Sequence, residues 1–285
     1  MNIALRLLLV TGLCAIALSA HSSSPSPAGP ATESAKHLQD FQVVELRRYT
    51  TAPGKRGDFV RYFDSYFPEA FEQLGAMIFG QFVERDDANR VVWLRGFKDI
   101  QARPVVNAAF YYGPLWREHR AKVNAILPDS DNVMLMRPLH AERGITVLPA
   151  VDPVREPEGA RGIVVAQIFP VEKEQMEAFS SRAEKAFLAY DSQGVRTAGV
   201  LVSLDVPNNF PQLPIRQDGP WLAWLGLAQD DAALRVLSQR MDEVEQAMTE
   251  ADGLRGSIER IVMDPTPRSR LRWLALDAAT GRNAP

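Results

Sequence analysis

The chain has 285 residues, 46% of them apolar and 24% charged, with a net charge of −3, which suits a globular protein of two modest domains or one large one. This weakly acidic balance excludes the clustered basic surface that nucleic-acid binding needs. The single cysteine, Cys14, lies in the N-terminal apolar stretch, so a chain that loses that stretch has no disulfide, zinc thiolate or cysteine nucleophile.

Residues 1–20 read as a signal peptide. Arg6 and the amino group supply positive charge, residues 7–20 are apolar, and Ala17, Ser19 and Ala20 offer a small-residue cleavage site. The expected location is therefore exported, periplasmic or secreted, with cleavage and retention as an anchor both open. The bulky Leu13 argues against Cys14 as a lipid-attachment site. Residues 21–42, rich in serine, proline and alanine, are expected to form a disordered tether.

A first domain is predicted over 43–140. It opens with a strand, VVELRRYTT, which Pro53 and Gly54 end. Phe59, Tyr62, Phe63, Tyr66, Phe67, Ala70, Phe71 and Leu74 then recur at helical spacing, with a break at Pro68. Two strands, 76–85 and 89–97, flank a tight turn around 87–89. Helical residues interrupted at Gly113 and Pro114 follow, and a strand at 133–139 closes the unit. Residues 141–161, with Pro149, Pro153, Pro157 and Gly159, are expected to be a linker.

The second domain, 162–265, repeats the scheme. A strand at 162–169 precedes a helix striped by Met176, Phe179, Ala183, Phe187 and Tyr190. Strands at 195–206 and 221–229 precede a helix capped by Asp230 or Asp231 and ended near Gly253, and a strand at 257–263 completes the unit. A shift of 120 residues overlays Phe59 on Phe179 and Phe67 on Phe187. Residues 208–219 form a long connection where the first half has a tight turn, either a lid or contact loop or a plain surface excursion, with Phe210 and Ile215 as its buried or partner-facing residues. Residues 266–285 are expected to be a C-terminal tail; its basic run, Arg268, Arg270 and Arg272, is a solvated face or a weak membrane contact.

This order gives an α+β fold of two tandem ferredoxin-like halves. The strand at 221–229 is apolar on both alternating faces and needs cover on both sides. The two sheets are therefore expected to pack on each other as a pseudo-dimeric α+β barrel. A homodimer through a sheet edge is compatible with it.

The run Glu45-Leu46-Arg47-x-Tyr49, the Pro53-Gly54-Lys55 turn, the helix containing Pro68, Trp116 and the strand ending at Pro138 together resemble a NIPSNAP domain. The second half has Val165, Gln167 and Phe169 where that opening signature would stand, and resembles the family in architecture only. The resemblance implies the dimeric α+β barrel fold and carries over no catalytic residue set.

Alternation puts Glu45, Arg47 and Tyr49 on one face of the first strand, and Trp93 and Arg95 on one face of its neighbour. If that face lines the space between the sheets, it forms a small-molecule pocket with Trp116 and His119. A cross-strand ion pair of Glu45 with Arg47 or Arg95 is the purely structural use of the same residues. His119 falls on the inward stripe with Val123 and Ile126, as a packed core histidine or as an acid–base group. Trp116 and His119 invite comparison with related barrel enzymes that degrade haem, but the first strand lacks their asparagine. His140 is expected on the surface. No histidine pair has metal-ligand spacing, and there is no G-x-S-x-G elbow or G-K-[ST] phosphate loop. No metal or cofactor is expected. The functional expectation is small-molecule binding between the sheets, with a cofactor-independent oxygenase or isomerase, or a protein-interaction module, as alternatives.

Overall fold

The computed structural model of the protein describes residues 41–274. The signal peptide with Cys14, nearly all of the tether and residues 275–285 lie outside the described residues.

The first half comprises β1 (Val43–Thr50), α1 (Arg56–Tyr66), α2 (Pro68–Gln73), β2 (Ala76–Glu84), β3 (Arg90–Phe97), α3 (Ala102–Tyr111), α4 (Pro114–Ile126) and β4 (Val133–Pro138). Pro68 ends one helix and opens the next, where its missing N–H costs no hydrogen bond. The second half comprises β5 (Ile163–Pro170), α5 (Met176–Phe187), β6 (Val195–Ser203), β7 (Trp221–Ala228), α6 (Asp231–Glu250) and β8 (Glu259–Pro265). Asp230 caps α6, its carboxylate accepting from the N–H groups of Ala232 and Ala233.

All eight strands form one closed barrel in the order β1-β3-β2-β8-β5-β7-β6-β4. The halves are joined where β2 pairs with β8 and β4 pairs with β6, both antiparallel. Closure uses up every sheet edge within the barrel, so an edge-to-edge homodimer has no strand to use there. The halves also share a register irregularity at corresponding glycines. In β2 it falls between Ile78 and Gly80, opposite Arg95 and Leu94; in β6 it falls between Thr197 and Gly199, opposite Gly226 and Leu225.

Strand alternation decides which side chains meet. Val44 and Leu46 point into the barrel with Phe82, Leu94, Met134, Met136, Ala166, Ile168, Leu225 and Met263, and fill it. Arg48 closes one end by pairing with Glu84 and Glu259. Residues 141–161 are more than a linker, because Ile145 and Val147 are buried in this same core. The outward faces are covered by helices, α1 to α4 over the first half and α5 and α6 over the second. The double burial of β7 is thereby explained: Trp221 packs inward, and Trp224 packs under the helices.

The C-terminal basic run is not a solvated tail. Arg272 is buried and paired with Glu156, Arg270 pairs with Glu72, Arg268 pairs with Glu69, and Leu271 joins the barrel core. Among the described residues, no helix is long and apolar enough to cross a membrane.

Candidate functional site

The charged face of the first half does not line the space between the sheets. That space is the packed barrel interior, and period-two alternation turns Glu45, Arg47, Tyr49, Trp93 and Arg95 to the opposite side, under the helices. The expected pocket therefore lies between sheet and helices.

Glu45 is fully buried and is the hub of the site. Its Oε2 accepts from Arg47 Nη1 at 2.6 Å and from Arg95 Nε at 2.7 Å, and its Oε1 accepts from Arg103 Nε at 2.6 Å. Burial by itself pushes the Glu45 carboxyl up, but Arg95, Arg47 and Arg103 outweigh it and hold the group well below the usual carboxylate range. Arg47 also donates from Nε to the Tyr49 hydroxyl at 2.6 Å. Burial drives the Tyr49 phenol up to about 12, so it keeps its proton at neutral pH and can still donate it.

Three guanidiniums thus surround one carboxylate, a surplus of two positive charges with every arginine at most 1% exposed. Arg95 Nη1, Arg103 Nη2 and the Trp93 indole N–H find no acceptor among the described residues. A buried charge left without a partner costs several kcal/mol.

In front of this cluster opens a cavity of about 420 Å³. Arg47, Tyr49 and Trp93 line its floor side. Phe59, Phe63, Phe67, Phe71, Phe110, Tyr111 and Trp116 supply aromatic walls from the helices, and Arg120 and Asp131 stand at its exposed rim. The 208–219 loop reaches across from the second half and places Phe210, Gln212, Leu213 and Pro214 on the cavity. Its root is tied to the charge cluster, since Arg103 Nη1 donates to both Asn208 Oδ1 and Asn209 Oδ1 at 2.9 Å. Phe210 is buried; Ile215 packs at the edge of the same core.

Of the residues singled out by the sequence, Arg47, Tyr49, Trp93 and Trp116 line the cavity, whereas Glu45 and Arg95 stand behind Arg47. His119 is buried as expected but is not part of the cavity wall. Its Nδ1 is bonded to the Tyr62 hydroxyl, and Tyr66 and Phe67 pack on its ring. His140 is exposed and pairs with Glu184. Arg103 escaped the sequence reading. Its signal was spacing: Arg103, Asn107 and Phe110 fall at i, i+4 and i+7 on the inward face of α3.

The second half is an internal control. Gln167 opposes Trp224 on the β5–β7 pair as Arg47 opposes Trp93 on the β1–β3 pair, and Val165 with Gly226 stands where Glu45 with Arg95 does. There the space under the helices is apolar and filled. Gln167 is satisfied by the Tyr190 hydroxyl and Glu245. The fold therefore does not require the arginine cluster.

A closed barrel of two α+β halves with outer helices defines a protein of the dimeric α+β barrel class. Residues 44–140 match the NIPSNAP family model. Among solved structures, the chain is similar to a candidate monooxygenase from Fusobacterium nucleatum, at 12% identity over 79% of this chain and 92% of that one, with a TM-score of 0.53. It is also similar to a chlorite dismutase from Candidatus Nitrospira defluvii, at 12% identity over 82% and 95% of the two chains, with a TM-score of 0.45. A NIPSNAP domain protein from Burkholderia xenovorans aligns with 33% of this chain and 88% of its own, at 20% identity and a TM-score of 0.27. Of these likenesses only the first, with its TM-score of 0.53, bears on the fold, and none bears on chemistry. No curated protein matches the sequence.

Proposed function

We propose that the chain binds a small organic anion with an aromatic body in the cavity between the first-half sheet and its helices. The observation that carries this reading is the set of three buried arginines sharing one glutamate behind an aromatic cavity, with Arg47 reaching its floor. Glu45 has spent its acceptors, so what remains at the floor is donors: Arg47, the Tyr49 hydroxyl and the Trp93 indole. Such a floor matches a carboxylate, and the ring-lined walls match an aromatic group. Calorimetric titration with benzoate and 4-hydroxybenzoate tests it, with uncharged benzamide as the control. We expect binding of the carboxylates and a loss of about tenfold or more in Arg47→Gln. Equal binding of benzamide, or none of either acid, would overturn the reading.

A cofactor-independent oxygenase or isomerase would need a base in contact with the ligand. Among the lining residues Tyr49 keeps its proton and Asp131 sits at the exposed rim, so binding is the better-supported activity. The 208–219 loop turns its apolar residues onto the cavity, which favours a lid over a protein-docking surface.

We also read the two halves as a tandem repeat, on the shared bulges and register, and residues 1–20 as an export signal. Protein made in an exporting bacterial host should begin near Ala20 or His21 by N-terminal sequencing. A soluble cytosolic product retaining Met1 would contradict export.

A further inference from the structure

A second cavity, of about 590 Å³, lies on the other side of Phe63, between α1, α2 and β2 and beneath residues 150–159 and 267–270. Its charges differ in kind from those of the first. Five carboxylates line it, and four have an arginine partner: Glu69 with Arg268, Glu72 with Arg270, Glu156 with Arg272 and Glu158 with Arg161. The fifth, Asp64, forms no ion pair among those of the described residues, and its Oδ1 accepts only a long 3.4 Å bond from Thr266 Oγ1.

The floor of this cavity holds a second unmatched group. Gln81 is 2% exposed, and neither its Nε2 nor its Oε1 has a hydrogen-bond partner among the described residues. Its backbone is fixed, because its C=O accepts from Thr266 N at 2.9 Å and Ser269 Oγ at 2.5 Å. Thr266 thus ties the Gln81 strand to Asp64. Gly80 permits the close approach, since a Cβ there would lie 2.9 Å from Ser269 Cβ. A buried amide with both ends unmet costs free energy that a bound partner would recover.

We infer that this cavity binds a small organic cation bearing N–H donors, of the primary-amine or guanidine class, with Asp64 as its counter-ion and Gln81 Oε1 as a second acceptor. Phe63 offers the cation a ring on the wall of the site. Burial lifts the Asp64 carboxyl to about 6 against the opposing pull of the Thr266 hydroxyl and of Arg268, which bonds the Asp64 backbone carbonyl and gives its ion pair to Glu69. This site is independent of the anion cavity, with which it shares only Phe63 among its lining residues.

The test is calorimetric titration of the full chain at pH 8 with agmatine and putrescine, and with glycerol as a neutral control. At least one amine should bind, glycerol should not, and Asp64→Asn should weaken the amine by about tenfold or more. Arg47→Gln should leave amine binding unchanged, which separates this outcome from that of the anion site. Gln81→Met gives a second readout of opposite sign: it removes two unmet polar atoms, so it should raise the melting temperature while weakening the amine several-fold. Failure of both amines to bind, undiminished binding to Asp64→Asn, or loss of binding in Arg47→Gln would overturn the inference. So would a lower melting temperature with unchanged affinity in Gln81→Met, which is the signature of a structural glutamine.

Discussion

Glu45 holds three guanidiniums in place, and its own ionisation depends on them. Removing its charge leaves three cations buried together with no anion. Glu45→Gln should therefore cost about 3–5 kcal/mol in denaturant unfolding at pH 7. The pH dependence has a definite sign. The folded-state carboxyl lies well below its ordinary value of 4.5, so the stability it contributes is complete above 4.5 and is lost as pH falls below it. The gap between parent and variant should narrow in acid; a gap that stays constant or widens would mean that the cluster is not held as described. Tyr49 belongs to the same group, its neutral hydroxyl positioned by Arg47 Nε. The alternation of VVELRRYT made Glu45, Arg47 and Tyr49 legible as one face. It could not say which side of the sheet that face meets, because both sides of β1 are buried.

At the scale of elements, α3 and the 208–219 loop complete the site, and they were unequally visible. The loop stands out by its length against the tight turn of the first half, and its apolar Phe210 and Ile215 are the residues the sequence offers for burial or for a partner. Arg103 sits in the first turn of α3, where an exposed arginine is common and composition gives no warning. Only tertiary contact with Glu45, 58 residues away, shows its role. Residues 141–161 were misjudged for a related reason: prolines mark an irregular path, and they do not reveal that Ile145 and Val147 enter the barrel. Shortening 208–219 to a tight turn removes Phe210 and Leu213 from the cavity and two acceptors from Arg103. Strands β6 and β7 still pair up to Val202 and Leu222, so the barrel should fold. Binding of aromatic carboxylates should weaken by about tenfold, since the loop excludes water from their charge. A shortened chain that binds them unchanged would show that the loop is a surface excursion.

For the molecule as a whole, one barrel carries two differently used outer layers. Its interior is packed with apolar side chains from both halves and from the connecting segment. The second half packs its helices on an apolar face; the first gives up that packing to seat a charged cluster beside a cavity. The pseudo-dimeric barrel was legible from the order of elements and from the double-sided apolar strand β7. The asymmetry between the halves was legible only in part, through Val165, Gln167 and Phe169 in place of the opening signature. Ligand placement is read most directly from a crystal structure of the protein soaked with 4-bromobenzoate, with the bromine located by anomalous scattering. One bromine should appear in the cavity bounded by Trp93, Trp116 and Phe210, with the carboxylate on Arg47. A bromine inside the barrel, or an Arg47 left without the carboxylate at saturating ligand, would contradict this placement.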